Sequence, residues 1–452
     1  MQQTDFFSTH VLSHILLAPL LGALIVLLIP SRMERAIKIT SIVFSFAAFL
    51  ISIWLFMAYD TTNPNFQFVE NMVWVTTFNI SYHIGVEGTA LLLVALTTFT
   101  IPLALIFSWE SIHKRVKAYY LLFLLLEFGT LGVFMSMDTI LFYIFWEIVL
   151  IPMYFIIGVW GGERRIYASV KFFLFTIVGS LFMLVAIIWL GLQRPGVFTS
   201  DFLILQGIAP TIPMNVQIWL FVAFALAFCI KVPLFPLHTW LPDAHTEAPT
   251  AGSVVLAGLL LKLGTFGLLR YNIVLFPQAS IYFAPFMCIL GIVGIIYGAL
   301  VSMVQPDMKR VIAYSSVAHL GFVVMGIFSM TQEGMQGAVI QMVNHGLSTG
   351  MLFLVIGMLY DRRHTRLISE FGGLARVMPR FAVMFALAML ASVGLPGLNG
   401  FVGEFLILLG TLKSPILHSW VYAAVATTGV IFAALYLLGL YKRIFFGKVT
   451  NE

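Results

Sequence analysis

The feature of this sequence that most constrains its fold is a succession of long apolar segments. Each has roughly the 20 residues that an α-helix needs to cross the hydrocarbon core of a bilayer. Only 10% of the residues are charged and 61% are hydrophobic, whereas a soluble domain has about 25% charged residues. No soluble core could bury this much apolar sequence, so we predict an all-α, polytopic membrane protein. About 13 transmembrane helices are predicted, near residues 11–30, 37–59, 89–108, 118–136, 139–160, 167–190, 216–240, 250–270, 283–304, 309–330, 335–360, 381–411 and 419–441.

Lysine and arginine are distributed unequally between the two sides of these predicted helices. No basic residue precedes the first apolar run, which favours a spanning helix over a cleaved signal peptide, with the N-terminus outside. Of the 24 basic residues, eighteen then fall in inner segments. Basic residues accumulate on the cytoplasmic side of membrane proteins, so the net charge of +5 reflects topology and indicates no nucleic-acid partner. The outer segments contain Arg194, Arg270 and Lys413, and the spans themselves contain Lys171, Lys231 and Lys262.

Two of the apolar runs are interrupted in a similar way. Helix seven leads into "KVPLFPLHTWLPDAHTEAPT" and helix twelve contains "VGLPGLNGFVGEF", so each has proline near membrane depth beside an ionisable residue. Such broken helices at corresponding positions indicate inverted repeats around a functional site, although proline and glycine are also simply frequent in membrane helices. We predict three N-terminal helices within 1–110, a first five-helix repeat over 118–270 and a second over 281–443.

The connecting segments carry weaker signals. Apolar and polar residues alternate around Val73 to Tyr82, which predicts a short surface hairpin in the outer segment. The segment 191–215 is predicted to be a second outer loop, and the basic inner segment 360–380 to carry a short surface helix. Cys229 and Cys288 lie in apolar spans without any recognisable spacing, so free buried thiols are expected and no disulfide or metal framework.

Four ionisable residues lie deep within the predicted spans: Glu147, Lys231, Lys262 and Glu404. A charged group at the bilayer centre costs about 2.5–3.5 kcal/mol on insertion scales. The cost falls where such side chains face the bundle interior and pair, for example Glu147 with Lys231. Burial and a neighbouring carboxylate act in opposite directions on the proton affinity of a lysine, so moving the partner can make Lys231 or Lys262 exchange a proton. The alternatives are a static ion pair that fixes helix packing, or a side chain that reaches the interface, as expected for Lys171.

Four histidines in or beside the spans extend this set: His238, His245, His319 and His345. A neutral imidazole can pass a proton through its two nitrogens; the alternative is a hydrogen-bonded packing residue. Small polar neighbours favour the relay for His319 and His345, whereas His238 and His245 are secondary candidates. The segment "HTWLPDAHTE" could also be read as a metal cluster, but it has no recognised ligand spacing and its prolines point to a turn. Glu127 is a further, weaker candidate for proton exchange.

Four longer motifs together resemble one known family: "LFYIFWEIVLIPMYFIIGVWGG", "KVPLFPLHTWLPDAHTEAPTAGSVVLAGLLLKLGTFGLLR", "DMKRVIAYSSVAHLGFVVMGI" and "MVNHGLSTGMLFL". They closely resemble the antiporter-like, proton-translocating membrane subunits of respiratory complex I, the NADH:quinone oxidoreductase, and among these subunit 4 (bacterial subunit M). The likeness covers nearly the whole chain, and "HTWLPDAHTEAPTAGSVVLAG" is specific to the wider antiporter-like group. Members of the family usually have 14 membrane helices, one more than the sequence predicts here.

The resemblance implies two inverted five-helix repeats whose half-channels are joined by a hydrated polar axis at mid-membrane. It implies that Glu147 and Lys231 form the pair on the input side. Lys262 and the histidines would form the central relay, with Glu404 near the exit.

The resemblance also has implications for cofactors, partners and location. NADH, FMN, the iron–sulfur clusters and quinone are bound by other subunits in that family, so no cofactor is expected in this chain. The implied partners are the other membrane subunits of complex I, especially the sister antiporter-like subunits, together with the lipid bilayer. The implied location is a bacterial plasma (inner) membrane or the mitochondrial inner membrane.

Three functions fit these observations. The first is a proton-translocating subunit of complex I that couples quinone reduction elsewhere to proton pumping. It would perform no redox chemistry itself, since no phosphate loop, nucleophilic triad or cysteine ligand set is recognisable. The second is a subunit of a multi-subunit cation/proton antiporter, which shares the fold and the Glu/Lys pattern. The third is a structural membrane subunit whose buried charges only hold helices together.

Overall fold

Membrane-spanning helices make up most of the fold. The computed structural model describes residues 9–450, and within them twelve helices are long and apolar enough to cross a membrane. This confirms the predicted all-α, polytopic membrane fold. Numbered along the chain, the helices are α1 (Val11–Leu28), α2 (Glu34–Ala58), α3 (Gly88–Ser111), α4 (Val116–Met135), α5 (Thr139–Trp160), α6 (Arg165–Gly191), α7 (Phe202–Ile208), α8 (Met214–Lys231), α9 (Trp240–Glu247), α10 (Thr250–Ile273), α11 (Pro277–Met303), α12 (Met308–Phe328), α13 (Gln332–Arg363), α14 (Leu374–Val377), α15 (Pro379–Val393), α16 (Asn399–Leu412) and α17 (Val421–Phe445).

The connection between α2 and α3 forms the surface hairpin that its alternating residues predict. Strands β1 (Gln67–Val75) and β2 (Ile80–Val86) pair antiparallel. His83 ties the hairpin to its unit, because its carbonyl accepts from Met137 N at 2.8 Å and its Nδ1 lies 2.8 Å from Asp201 Oδ2. Burial raises the pKa of Asp201, but hydrogen bonds from His83 and from backbone N–H groups outweigh burial and hold that pKa below its usual value.

Short helical elements occupy the two other long connections. The inner segment 360–380 contains a 3₁₀ turn at Ile368–Glu370 and the helix α14, which confirms the predicted surface helix. The outer segment 191–215 contains α7 and a 3₁₀ turn at Ala209–Thr211. The sequence predicts only a loop there, since Gly and Pro recur along it.

Helix seven is interrupted, as its prolines predict. α8 ends at Lys231, and residues 232–239 form turns before α9 begins at Trp240. The predicted span 216–240 is therefore too long at its C-terminal end, because apolar residues continue through the break. The break provides a hydrogen bond to a carbonyl group near the end of α8, because Leu234 N donates to Cys229 O at 2.9 Å.

Helix twelve is also interrupted, and the apolar run 381–411 forms the two helices α15 and α16. Gly394 follows the last turn of α15 with φ 81°, a left-handed conformation that glycine adopts without strain. In each predicted set of five helices, the interrupted run is the fourth. This correspondence is the arrangement expected of inverted repeats.

α10 contains two π-helical segments, Leu256–Leu260 and Leu268–Ile273. A π turn contains one residue more than an α turn and often marks a functional position. Lys262 follows the first segment by two residues, and its Nζ donates to the carbonyl of Ala257 within it. The sequence does not predict this irregularity, because the stretch contains no proline and its apolar character is continuous.

The chain divides into two compact units. The first contains the described residues up to Phe228 together with Phe266–Gln278. The second contains Cys229–Thr265 and the described residues from Ala279 onwards. Of the candidate site residues, Glu147 belongs to the first unit, and the second unit contains Lys231, His238, His245, Lys262, His319, His345 and Glu404.

Glycine residues bring α13 and α16 close together in the second unit. A Cβ at Gly337 would lie 2.7 Å from the backbone nitrogen of Ile407 and 3.0 Å from the carbonyl oxygen of Gly403. Side chains would hold the two helices apart, whereas small residues allow backbones to approach in membrane proteins. The close approach places Glu404, on α16, beside the polar residues of α13.

Candidate functional site

Glu147 is the candidate residue of the first unit. It lies in the middle of α5, and its side chain is partly buried. Tyr143, one turn earlier on the same helix, interacts with Glu147 and with Ser180 of α6. Oε1 of Glu147 is buried and has no hydrogen-bond partner among the described residues. A buried polar oxygen normally has a hydrogen-bond partner. The carboxyl group of Glu147 is therefore not held by a complete set of hydrogen bonds.

Lys231 ends α8 and is the first candidate residue of the second unit. Its side chain is 1% exposed, and the turns of residues 232–239 follow it directly. Trp240 closes the same region, because its Nε1 donates to the carbonyl of Ile230 at 2.9 Å. The lysine predicted from its apolar surroundings is therefore buried at a helix end, where irregular backbone offers additional polar groups.

The two secondary histidines, His238 and His245, lie in and after this break and contact aromatic rings. His238 stacks on Phe235 with ring centroids 5.6 Å apart and meets Tyr297 edge-on at 5.0 Å. His245, in α9, stacks on Phe353 at 4.7 Å with an interplanar angle of 11°. Both ring nitrogens of His245 are buried and have no hydrogen-bond partner among the described residues. Ring stacking thus fixes the plane of His245 and leaves its nitrogens available.

Lys262 and His345 form the first contact between predicted site residues. Lys262 is fully buried in the middle of α10, and its Nζ lies 2.7 Å from Nδ1 of His345 on α13. An ammonium has three donors and no acceptor. When Lys262 is charged, Nδ1 of a neutral His345 therefore accepts and Nε2 carries the ring proton. A proton can move along this contact from the lysine to the imidazole.

His319 and Glu404 form the second contact. Nδ1 of His319, on α12, lies 2.9 Å from Oε1 of Glu404, and both side chains are about as buried as Lys262, at 3% and 4% exposed. The rings of His319 and His345 have centroids 5.9 Å apart. Lys262, His345, His319 and Glu404 therefore form a row across four helices of the second unit, which we call the central row. The sequence predicts its members but not these pairings.

Three amide side chains, none of them predicted from the sequence, contact Glu404 or join its helix to α13. Gln341 Nε2 donates to Glu404 Oε1 at 3.3 Å. Asn344 Nδ2 donates to the carbonyl of Asn399 at 2.7 Å, and Asn399 Nδ2 donates to Asn344 Oδ1 at 3.2 Å. Because Asn399 is the first residue of α16, the pair of asparagines joins α13 to the second half of the broken helix. The sequence does contain a signal for these amides, because buried amide side chains in a membrane span need hydrogen-bond partners.

The chemistry available at the central row is proton exchange, because it brings together an amine, two imidazoles and a carboxyl group. When Glu404 is ionised it can only accept, so Nδ1 of His319 then carries the proton; Ser392 Oγ lies 3.4 Å from the other ring nitrogen, Nε2. Within residues 9–450, no group of three or more His, Cys, Asp or Glu could hold a metal ion. Cys229 and Cys288 are buried and free, as predicted.

Glu127, the weaker candidate, lies apart from the central row in the first unit. It is fully buried on α4, and neither carboxyl oxygen has a hydrogen-bond partner among the described residues. Ser45 of α2 is its polar neighbour. Glu127 is therefore a buried carboxyl group of the first unit that does not belong to the central row.

Fold and site together define a class of protein: a polytopic helical membrane protein with broken helices and a row of buried ionisable side chains. The chain belongs to the NADH:quinone oxidoreductase/Mrp antiporter transmembrane family, whose profile matches residues 136–432. The matched region contains Glu147, both helix breaks and the whole central row.

Relatives of known name match nearly the whole chain. NADH-quinone oxidoreductase subunit M of Rickettsia bellii (strain RML369-C) is 43% identical over 98% of this chain and 89% of its own length. NADH-ubiquinone oxidoreductase chain 4 of Marchantia polymorpha is 45% identical over 97% of this chain and 87% of its own. A chain of respiratory complex I from Thermus thermophilus with bound NADH matches with a TM-score of 0.87 and 33% identity, covering 98% and 90% of the two chains. The resemblance predicted from the motifs is confirmed.

Proposed function

We propose that this chain is the proton-translocating subunit, of the subunit M or chain 4 kind, of an NADH:quinone oxidoreductase. Family membership and the near full-length match to relatives with those names support this assignment. The partners are then the other membrane subunits of the complex, especially sister antiporter-like subunits, in a bacterial plasma membrane or the mitochondrial inner membrane. Those other subunits bind NADH, FMN, the iron–sulfur clusters and quinone, and this chain performs no redox chemistry.

The observation that carries the proposal is the central row from Lys262 to Glu404. Lys262 Nζ lies 2.7 Å from His345 Nδ1, and His319 Nδ1 lies 2.9 Å from Glu404 Oε1. A proton can transfer directly at each of these two contacts. Between the two rings, 5.9 Å apart, transfer requires ring rotation or a bridging water. In the proposed sequence, protons reach the row from Glu147 and Lys231 and leave it beyond Glu404, on the outer side. The repeats over 118–270 and 281–443 would supply one half-channel each.

The test replaces Lys262 by methionine, which has a similar shape but binds no proton. Acidification of inverted membrane vesicles by NADH is measured together with the NADH:quinone rate, and assembly of the complex is checked separately. We expect Lys262→Met to lower acidification by at least about tenfold, the scale of a lost proton-transfer group. Lys171→Met is the matched control, because Lys171 also lies within a predicted span but is on α6, outside the central row. Normal acidification by an assembled Lys262→Met complex would reduce the row to a packing role.

The same vesicles separate this function from cation/proton antiport, which the family description also includes. A Na⁺ or K⁺ gradient imposed without NADH should move no protons through the complex. Proton movement that follows the cation gradient and ignores NADH would assign the chain to an antiporter instead.

A further inference from the structure

A buried lysine near the inner side of the second unit lies outside the central row. Lys309 is the second residue of α12, and the sequence places it among the inner basic residues. Its side chain is 2% exposed, and its Nζ donates to the carbonyl oxygen of Ala248 at 2.8 Å. A single carbonyl occupies one of the three donors of an ammonium. Since burying a charge with so little compensation is costly, Lys309 is a candidate for proton exchange with neighbouring groups.

Acidic side chains lie around Lys309. Asp307, Asp361 and Glu247 all interact with it electrostatically. Asp307 is already engaged, because Oδ1 accepts from Lys309 N at 2.7 Å and Oδ2 lies 3.1 Å from Arg366 Nε. Asp361 is exposed, so it offers a carboxylate in contact with solvent within electrostatic reach of the buried lysine.

His245 connects Lys309 to the central row. It lies in α9, three residues before Ala248, whose carbonyl accepts from Lys309 Nζ, and it is within electrostatic range of both Lys309 and Lys262. Its ring is fully buried and stacked on Phe353, and neither nitrogen has a hydrogen-bond partner among the described residues. Buried polar atoms are normally satisfied by protein or by ordered water, so these nitrogens are suited to accept and pass on a proton.

We propose that Lys309 and His245 form a proton inlet within the second unit. It delivers protons from the inner side to Lys262 by a route separate from Glu147 and Lys231. This inference rests on the proposed proton translocation. Each step balances: the Lys309 ammonium gives a proton to a ring nitrogen of His245 and becomes a neutral amine, and the imidazolium gives a proton to the neutral amine of Lys262. Lys309 regains its proton from the inner side through the neighbouring carboxyl groups.

The competing explanation is that Lys309 only satisfies the carbonyl at the end of α9. Arginine separates the two explanations, since a guanidinium keeps the charge and the donors but does not lose its proton in proteins. Lys309→Arg therefore preserves the structural contact and blocks proton release. Lys38 is a matched control in the first unit: it is 7% exposed, and its Nζ donates to the carbonyl of Trp109 at 2.6 Å.

The experiment measures NADH-driven acidification in inverted vesicles that contain the assembled complex with Lys309→Arg, Lys38→Arg or Lys262→Met. We expect Lys309→Arg to lower acidification about twofold or more, because one of two inlets is closed by a group that keeps its proton. Lys38→Arg should leave it unchanged. If the complex with Lys309→Arg fails to assemble, His245→Gln is measured instead, and we expect the same loss of acidification.

Each other outcome overturns a stated claim. Normal acidification with Lys309→Arg, while Lys262→Met is inactive, would overturn the inlet and leave the proposed function intact. Normal acidification with both variants would contradict the proposed function as well. An equal loss with Lys38→Arg would also overturn the inlet, since a buried lysine of the other unit, outside the proposed inlet, would then be equally sensitive.

Discussion

His345 is an inner member of the central row, because it contacts Lys262 and its ring meets the ring of His319 edge-on. Glutamine in its place keeps an acceptor near Lys262 but cannot be protonated at physiological pH. We expect His345→Gln to lower NADH-driven acidification by at least about tenfold, since a positioned proton-transfer group typically contributes about 10²–10⁴-fold. His113→Gln, which changes an exposed histidine, should behave as the unchanged protein. Equal rates in the two variants would leave His345 as a packing residue.

Single residues of the site could be predicted from the sequence, whereas their contacts could not. Lys262 and Glu404 are conspicuous because each interrupts an apolar run that must lie in lipid. Their partners are 83 and 85 residues away along the chain, and no local pattern encodes such a pairing. The pairing of Glu147 with Lys231 therefore stays a prediction. The sequence does not single out Gln341, because a neutral polar residue in a helix is less conspicuous than a charged one.

At the scale of elements, the position of Glu404 depends on the approach of α16 to α13. A Cβ at Gly337 would press on the backbone of Ile407 and Gly403, so Gly337→Ala must move one helix. We expect a loss of about 1–3 kcal/mol in stability, typical of overpacking, and lower acidification as Glu404 shifts. Gly439→Ala on α17 is the control, since no described residue of a neighbouring element lies within 4 Å of the added carbon. Thermal unfolding of the purified complexes compares the two; equal midpoints would contradict the close packing.

Helix interruptions differ in how far the sequence predicts them. Proline removes a backbone donor and clashes with the preceding turn, so both broken helices could be predicted, although the apolar run of 381–411 hides the division into α15 and α16. The π segment at Leu256–Leu260 depends on one extra residue in a turn, and the amino-acid composition of the segment does not predict that residue. It nevertheless provides the carbonyl of Ala257 to Lys262, and so belongs to the site.

At the scale of the whole molecule, the proposed proton carriers are distributed over two compact units. Glu147 lies in the first, while the central row and the Lys309–His245 inlet lie in the second. These units do not follow sequence order, because Phe266–Gln278 packs with the first unit although Cys229–Thr265 belongs to the second. Repeats can be predicted from hydropathy and breaks along the chain, but compact units depend on packing and need the structure.

Two inlets that meet at Lys262 should be partly redundant, and this redundancy can be measured. Glu147→Gln removes the proton-binding carboxylate of the first unit with little change in shape, and we expect acidification to fall without disappearing. Combined with Lys309→Arg it should fall by at least about tenfold, as with Lys262→Met, since each of the two proposed inlets has then lost a proton-releasing group. The combination of Glu147→Gln with Lys38→Arg is the control and should match Glu147→Gln alone. If Glu147→Gln alone already abolishes acidification in an assembled complex, protons enter by one route, and Lys309 serves the helix end only.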